Sequence, residues 1–122
     1  MPTLYSLLGI GIAGMVGTLA RYGTGWAASA AFGSGYPYGT YIVNVLGCLL
    51  FGLAAGLIET SSPWRVIILT GFLGGFTTFS AFAFENHELL TQQRWLSFAV
   101  HCLGQNILGI AAVFAGLALV SK

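Results

Sequence analysis

Charge is what this sequence has least of. In 122 residues there are four Lys or Arg and three acidic residues, 6% charged against 57% hydrophobic, whereas an ordinary soluble domain is roughly a quarter charged. A net charge of +1 with no basic cluster excludes a nucleic-acid partner, which needs several phosphate-neutralising side chains on one face. Cysteine is scarce too: Cys48 and Cys102 both fall within apolar runs, which reads as small buried hydrophobes and not as a disulfide framework. His87 and His101 form no HExxH pattern, and the chain has no nucleophile with a partnered base and no phosphate-binding glycine motif, so an enzyme is the least supported class. The apolar N-terminus lacks a basic n-region, which predicts a first span and not a cleaved leader.

What remains is long hydrophobic runs, and a mean hydropathy of +0.87 with 18 glycines describes an all-α integral membrane protein held in a lipid bilayer. A span needs about 20 mainly apolar residues. Four windows qualify, at about 4–28, 38–58, 64–84 and 95–120, and they make 1–122 a single four-span domain. Gly33 to Pro37 and Glu59 to Pro63 supply the first two connections, with Pro63 placed for the first turn of the third span. The stretch from Glu85 to Arg94 contains the third, part of it helical beyond the membrane.

An even number of spans puts both termini on one side. Arg65 and Lys122 then lie on that side and Arg21 and Arg94 on the other, so the positive-inside rule returns no bias. Insertion in both orientations, and an antiparallel pair of identical subunits, is compatible with that tally; so is a single orientation set by unequal position weights. Four spans make a thin bundle, and a solute path is easier to build between subunits than through one. Gly52 and Gly56, and Gly71 and Gly75, are small-xxx-small pairs whose first reading is close helix packing.

The third span carries the most informative segment, Gly71-Phe72-Leu73-Gly74-Gly75-Phe76-Thr77-Thr78-Phe79-Ser80-Ala81-Phe82. Paired glycines followed by paired threonines predict a helix broken at Gly74–Thr78, whose freed carbonyls and hydroxyls suit a small hard cation; a kink bridged by waters is the alternative. Phe79 and Phe82 share a helix face, and ring edges turned to a pore attract an anion without a fixed charge, although aromatic stripes also simply pack. Asn44 in the second span offers an NH2 to an anion and an oxygen to a neighbouring helix, or serves as an interhelical bond only. Arg21 ties down helix ends or attracts an anion. Glu85 continues the phenylalanine face to the membrane edge, with gating, hydrogen bonding or interfacial capping as its roles. Ser97, His101 and Gln105 recur every four residues, with Asn106 beside the last, a stripe suited to water, a second subunit or helix-helix bonding.

Taken together, Gly14-Met15-Val16-Gly17-Thr18-Leu19-Ala20-Arg21-Tyr22, Gly39-Thr40-Tyr41-Ile42-Val43-Asn44-Val45-Leu46-Gly47 and the third-span segment closely resemble the Fluc or CrcB family of small four-span fluoride channels, over essentially the whole length. The resemblance implies an antiparallel, dual-topology homodimer with two pores, passive export of fluoride, and a structural sodium ion (Na+) at the dimer interface. By position it implies Asn44, Phe79, Phe82 and Ser80 as pore-lining, to which the fourth-span stripe adds Gln105. Gly74 and Thr77 become the carbonyl ligands of sodium, and Arg21, Gly75, Thr78 and Glu85 structural or vestibular groups. Ala81 stands where the family pattern has threonine, and Gln105-Asn106 replace a serine-like start of the fourth-span track. A small multidrug transporter is a different four-span class, but it calls for a membrane-embedded glutamate, and the first span has no acidic residue. A purely structural scaffold would not require polar or broken motifs in three separate spans.

Overall fold

In the computed structural model, which describes residues 1–121, four helices are long and apolar enough to cross a membrane: Leu4–Phe32, Tyr38–Leu57, Pro63–Thr91 and Trp95–Val120. The chain is a multi-pass, all-helical membrane protein, and Lys122, counted above among the terminal charges, lies outside the described residues. Helix α1 (Leu4–Phe32) opens on a capping box between Thr3 and Ser6 and stops at Gly33, whose φ of 82° no side-chain-bearing residue adopts cheaply. It runs four residues beyond the end expected from the sequence, because Ser29 to Phe32 contain nothing that opposes helix. Helix α2 (Tyr38–Leu57) follows Pro37.

The third span is composite. α3 (Pro63–Val66) starts with the Ser62 side chain accepting from Trp64 N–H and with proline in its first turn. A π-helical stretch follows at Ile67–Leu73, then α4 (Gly74–Phe76). Thr77 (φ −86°, ψ 158°) and Thr78 (φ −149°, ψ 121°) are extended, and α5 (Phe79–Thr91) resumes with the Thr78 hydroxyl accepting from Ala81 N–H. After a three-residue connection, Gln92 to Arg94, α6 (Trp95–Val120) completes the bundle.

Small residues bring the helices together. α2 lies along α6 with backbones nearly touching: a Cβ on Gly52 would stand 2.3 Å from the Val113 carbonyl oxygen, and one on Gly116 2.5 Å from that of Leu49. α1 packs on the third span in the same way, with Gly75 against the Gly14 carbonyl oxygen at 2.5 Å. Both small-xxx-small pairs of the sequence are thus used inside the subunit, where close backbone approach gains dispersion that lipid cannot offer. Most large apolar side chains, such as Leu8, Trp26, Phe114 and Leu119, are exposed and face lipid or a second copy. Cys48 and Cys102 are free thiols, half-buried and not core residues as their apolar context suggested.

Candidate functional site

Where the third span leaves helical geometry, Asn44 of α2 reads its backbone. Thr78 N–H donates to Asn44 Oδ1 at 2.8 Å, and Asn44 Nδ2 donates to Thr78 C=O at 3.0 Å. In a continuous helix Thr78 N–H would bond the Gly74 carbonyl; with that donor diverted, Gly74 C=O has no backbone partner among the described residues. The Thr77 carbonyl is likewise without one, since Ala81 N–H, its helical partner, is capped by the Thr78 hydroxyl. Thr77 itself turns back, its N–H and hydroxyl both donating to Leu73 C=O at 3.1 and 2.9 Å. From the other side Arg21 Nε donates to Gly75 C=O at 3.0 Å. The irregular segment is therefore held by one side chain from α1 and one from α2.

The second N–H of Asn44 donates to Gln105 Oε1 of α6 at 2.9 Å. Both donors of the carboxamide are engaged in this state, so its NH2 is a clamp on the break as well as a polar point on the wall. Asn44, Thr77, Thr78, Phe79, Phe82 and Gln105 surround a cavity of about 370 Å³ together with Gly47, Cys48 and Phe51, and among the described residues no charged side chain lines it. Phe79 and Phe82 stand with ring centroids 5.6 Å apart and planes at 42°. Phe82 is 8% exposed and Phe79 77% exposed, so the Phe79 ring projects out of the subunit. Ser80 is exposed, its hydroxyl 3.5 Å from that of Thr78, beside the cavity and not in its lining.

One turn further along α5, Glu85 borders a second recess of about 440 Å³ with Arg21, Trp26, Tyr36, Tyr38 and Thr40. Thr40 Oγ1 donates to Glu85 Oε2 at 2.8 Å, while Glu85 Oε1 is buried without a hydrogen bond. Burial, with Tyr41, Tyr38 and Glu85 adding to it, pushes the Tyr36 phenol up to about 12, so it remains a donor at any physiological pH. His101, fully buried, stands between the two recesses, 5.6 Å from the Phe82 ring and 3.8 Å from Glu85 Oε1.

Of the four-residue stripe on α6, His101 and Gln105 reach this network. Ser97 instead lies 3.4 Å from Arg94 Nη2, and Asn106 lines the cavity while donating to Cys102 C=O at 2.7 Å. Thr40 and Tyr36 were not singled out in the sequence. Thr40 precedes Asn44 by four residues and so shares its helix face, which was the available signal; Tyr36 in a connection offered none.

These groups form a neutral, hydrogen-bonding recess with an aromatic wall, open on the side where Phe79 is exposed, in a four-span bundle. A family model for "CrcB-like protein, Camphor Resistance (CrcB)" matches residues 8–117. The chain belongs to that family. A protein of Nitratidesulfovibrio vulgaris named fluoride-specific ion channel FluC is 46% identical over 112 residues, covering 88% of this chain and 90% of the relative. Proteins with the same name from Nitrosococcus oceani and Solidesulfovibrio magneticus are 45% and 48% identical, each over 90% of this chain and 91% of their own length. The family match spans all four membrane helices and every group of the network described above.

Proposed function

We propose that this family member is a fluoride-selective ion channel, not an enzyme, that lets fluoride leave the cell passively across the cytoplasmic membrane. The observation that carries the reading is the cavity at the break, in a chain whose relatives bear fluoride-channel names. Fluoride is strongly hydrated, and a path for it has to replace water without holding the ion so firmly that it stays. A wall of carboxamide, threonine hydroxyls and the rings of Phe79 and Phe82 offers partial charges only, and a fixed cation is absent from the lining among the described residues. Narrowness then excludes chloride. The second recess, with Arg21 and Glu85, serves as the vestibule, where water still surrounds the ion. Membrane potential and the fluoride gradient supply the driving force.

The working unit in this reading is an antiparallel homodimer with two pores. A phenylalanine 77% exposed at the functional segment is supported as a pore wall only if a second subunit covers the rest of the path. The equal division of Arg and Lys between the two sides is the sequence counterpart. Sodium fits the same assembly. Gly74 and Thr77 carry carbonyls released from backbone pairing, Gly74 is exposed, and two copies bring four such oxygens together with no carboxylate, a set suited to a monovalent hard cation. Bound there, the ion would join the two broken spans and take no part in conduction.

The test is fluoride efflux from liposomes containing only the purified chain, with chloride efflux and a Phe82→Ile protein measured alongside. Rapid efflux of fluoride without chloride, reduced by the substitution, is the expected result; no efflux from well-folded dimers would overturn the reading. Folding and transport unchanged by complete replacement of sodium would remove the ion from it.

A further inference from the structure

We infer that His101 is a positioning residue for the pore, acting as the neutral imidazole protonated on Nε2 to fix which atom of the Gln105 carboxamide faces Asn44. The inference rests on the channel reading of the cavity. Its first step needs only hydrogen-bond polarity.

Amide orientations follow from the groups they meet. Thr78 supplies an unambiguous donor and acceptor, its N–H at Asn44 Oδ1 and its C=O at Asn44 Nδ2, so Asn44 has a single orientation. The remaining Asn44 N–H requires an acceptor, and the Gln105 atom at 2.9 Å must be Oε1. Gln105 Nε2 then faces His101, 2.8 Å from Nδ1 and 3.1 Å from Nε2. An NH2 only donates, and the ring nitrogen that receives it must carry no proton.

Glu85 decides between the two nitrogens. His101 Nε2 is 3.8 Å from Glu85 Oε1, a buried oxygen with no hydrogen bond of its own. An unprotonated Nε2 would set a lone pair against that buried carboxylate oxygen; a proton on Nε2 turns repulsion into attraction. Nδ1 is thus the acceptor for Gln105 at 2.8 Å, and the Tyr36 hydroxyl, 3.2 Å away, shares that one lone pair as the longer contact. The other groups around the ring are the Tyr41 phenol from α2 and Phe82 from α5, with ring centroids at 6.0 and 5.6 Å. The donors run in one direction, from Thr78 N–H through Asn44 and Gln105 to His101 and on toward Glu85.

A second proton on His101 would point an N–H at the Gln105 NH2. Gln105 has to turn, its Oε1 goes to the imidazolium, and its NH2 meets the Asn44 NH2 with no acceptor between them. Two amide donors then converge on the cavity wall and hold an anion instead of passing it, so fluoride flux falls as His101 gains this proton. His101→Asn keeps an oxygen near the position of Nδ1 that accepts from Gln105 and cannot titrate. His101→Phe keeps a ring and accepts nothing.

The experiment uses the full chain in liposomes, with fluoride and chloride efflux measured at one fixed neutral pH and the leak of protein-free vesicles subtracted. Relative to the protein as isolated, His101→Asn is expected to conduct within about twofold and His101→Phe to lose about tenfold together with selectivity over chloride. In parallel, ¹⁵N NMR of imidazole-labelled protein, with His87 assigned by difference from His101→Asn, reads the tautomer directly. A neutral His101 protonated on Nδ1 would overturn the inference, as would wild-type flux and selectivity in His101→Phe. If the unsubstituted protein passes no fluoride, the channel reading fails and the tautomer alone decides the orientation of the relay.

Discussion

Asn44→Asp separates the two tasks of the Asn44 side chain. The substitution is isosteric and keeps an acceptor for Thr78 N–H, but it removes both donors, those to Thr78 C=O and Gln105 Oε1. Hydrogen bonds between membrane helices average about 0.6 kcal/mol and reach about 1.7 kcal/mol, so losing two costs about 1–3 kcal/mol of folding stability, and Asn44→Ala, which loses three, about 2–5 kcal/mol. The larger effect is electrostatic. A carboxylate about 4 Å from an anion in surroundings of effective dielectric about 20 repels it by about 4 kcal/mol, which lowers fluoride occupancy by about 10³-fold. The neutral lining of the cavity holds nothing that would offset this charge. The expected outcome is Asn44→Asp protein that folds, dimerises and passes almost no fluoride, with Asn44→Ala less stable yet the better conductor of the two. Stability is read from denaturant titration in detergent and conduction from liposome efflux in alkaline buffer, which favours the ionised side chain. Asn44→Asp conducting at the wild-type rate with its fold intact would refute the placement of the ion path at this wall.

Gly75→Ala should destabilise the subunit by about 1–3 kcal/mol, because its Cβ would lie 2.5 Å from the Gly14 carbonyl oxygen. Gly74→Ala meets nothing closer than the Leu69 carbonyl oxygen at 3.9 Å, so it should leave subunit helicity unchanged while weakening the dimer; the pair is compared by circular dichroism and cross-linking. Arg21→Lys places a charge near the break but has no Nε to donate to Gly75 C=O, and is expected to lower the unfolding midpoint with selectivity over chloride retained. Tyr36 should titrate at about 12 in place of the usual 10, seen as one late phenolate in an ultraviolet titration and absent from Tyr36→Phe. Since the folded protein holds this proton more tightly than the unfolded chain, its contribution to stability is intact below about pH 10 and is lost as pH rises toward about 12.

Helix number and type were legible because hydrocarbon imposes a single solution on an apolar run of this length. Boundaries were less so: α1 continues past Ala28 to Phe32, and α5 carries the third span to Thr91, since the water-facing ends of membrane helices obey capping and turn chemistry instead of hydropathy. The π-helical stretch at Ile67–Leu73 was not foreseen. Its residues are ordinary helix and membrane formers, and an added residue per turn answers to packing against α1, which a local pattern does not encode.

Polar residues show the same division more sharply. That Asn44, Gln105 and His101 needed partners followed from their position in apolar spans, but the direction of each bond did not. A carboxamide is symmetric in shape and asymmetric in chemistry, so its role is set by the first fixed donor or acceptor it meets. Here that is the backbone of Thr78, exposed because the third span leaves helical geometry beside it. The break and the polar stripe, which read in the sequence as separate motifs on separate spans, therefore form one device: the break orients Asn44, Asn44 orients Gln105, and Gln105 is satisfied by His101. Replacing any member with a residue of equal size and reversed hydrogen-bond polarity should disturb the others. A pure packing role would tolerate such a replacement, and that difference separates the two readings.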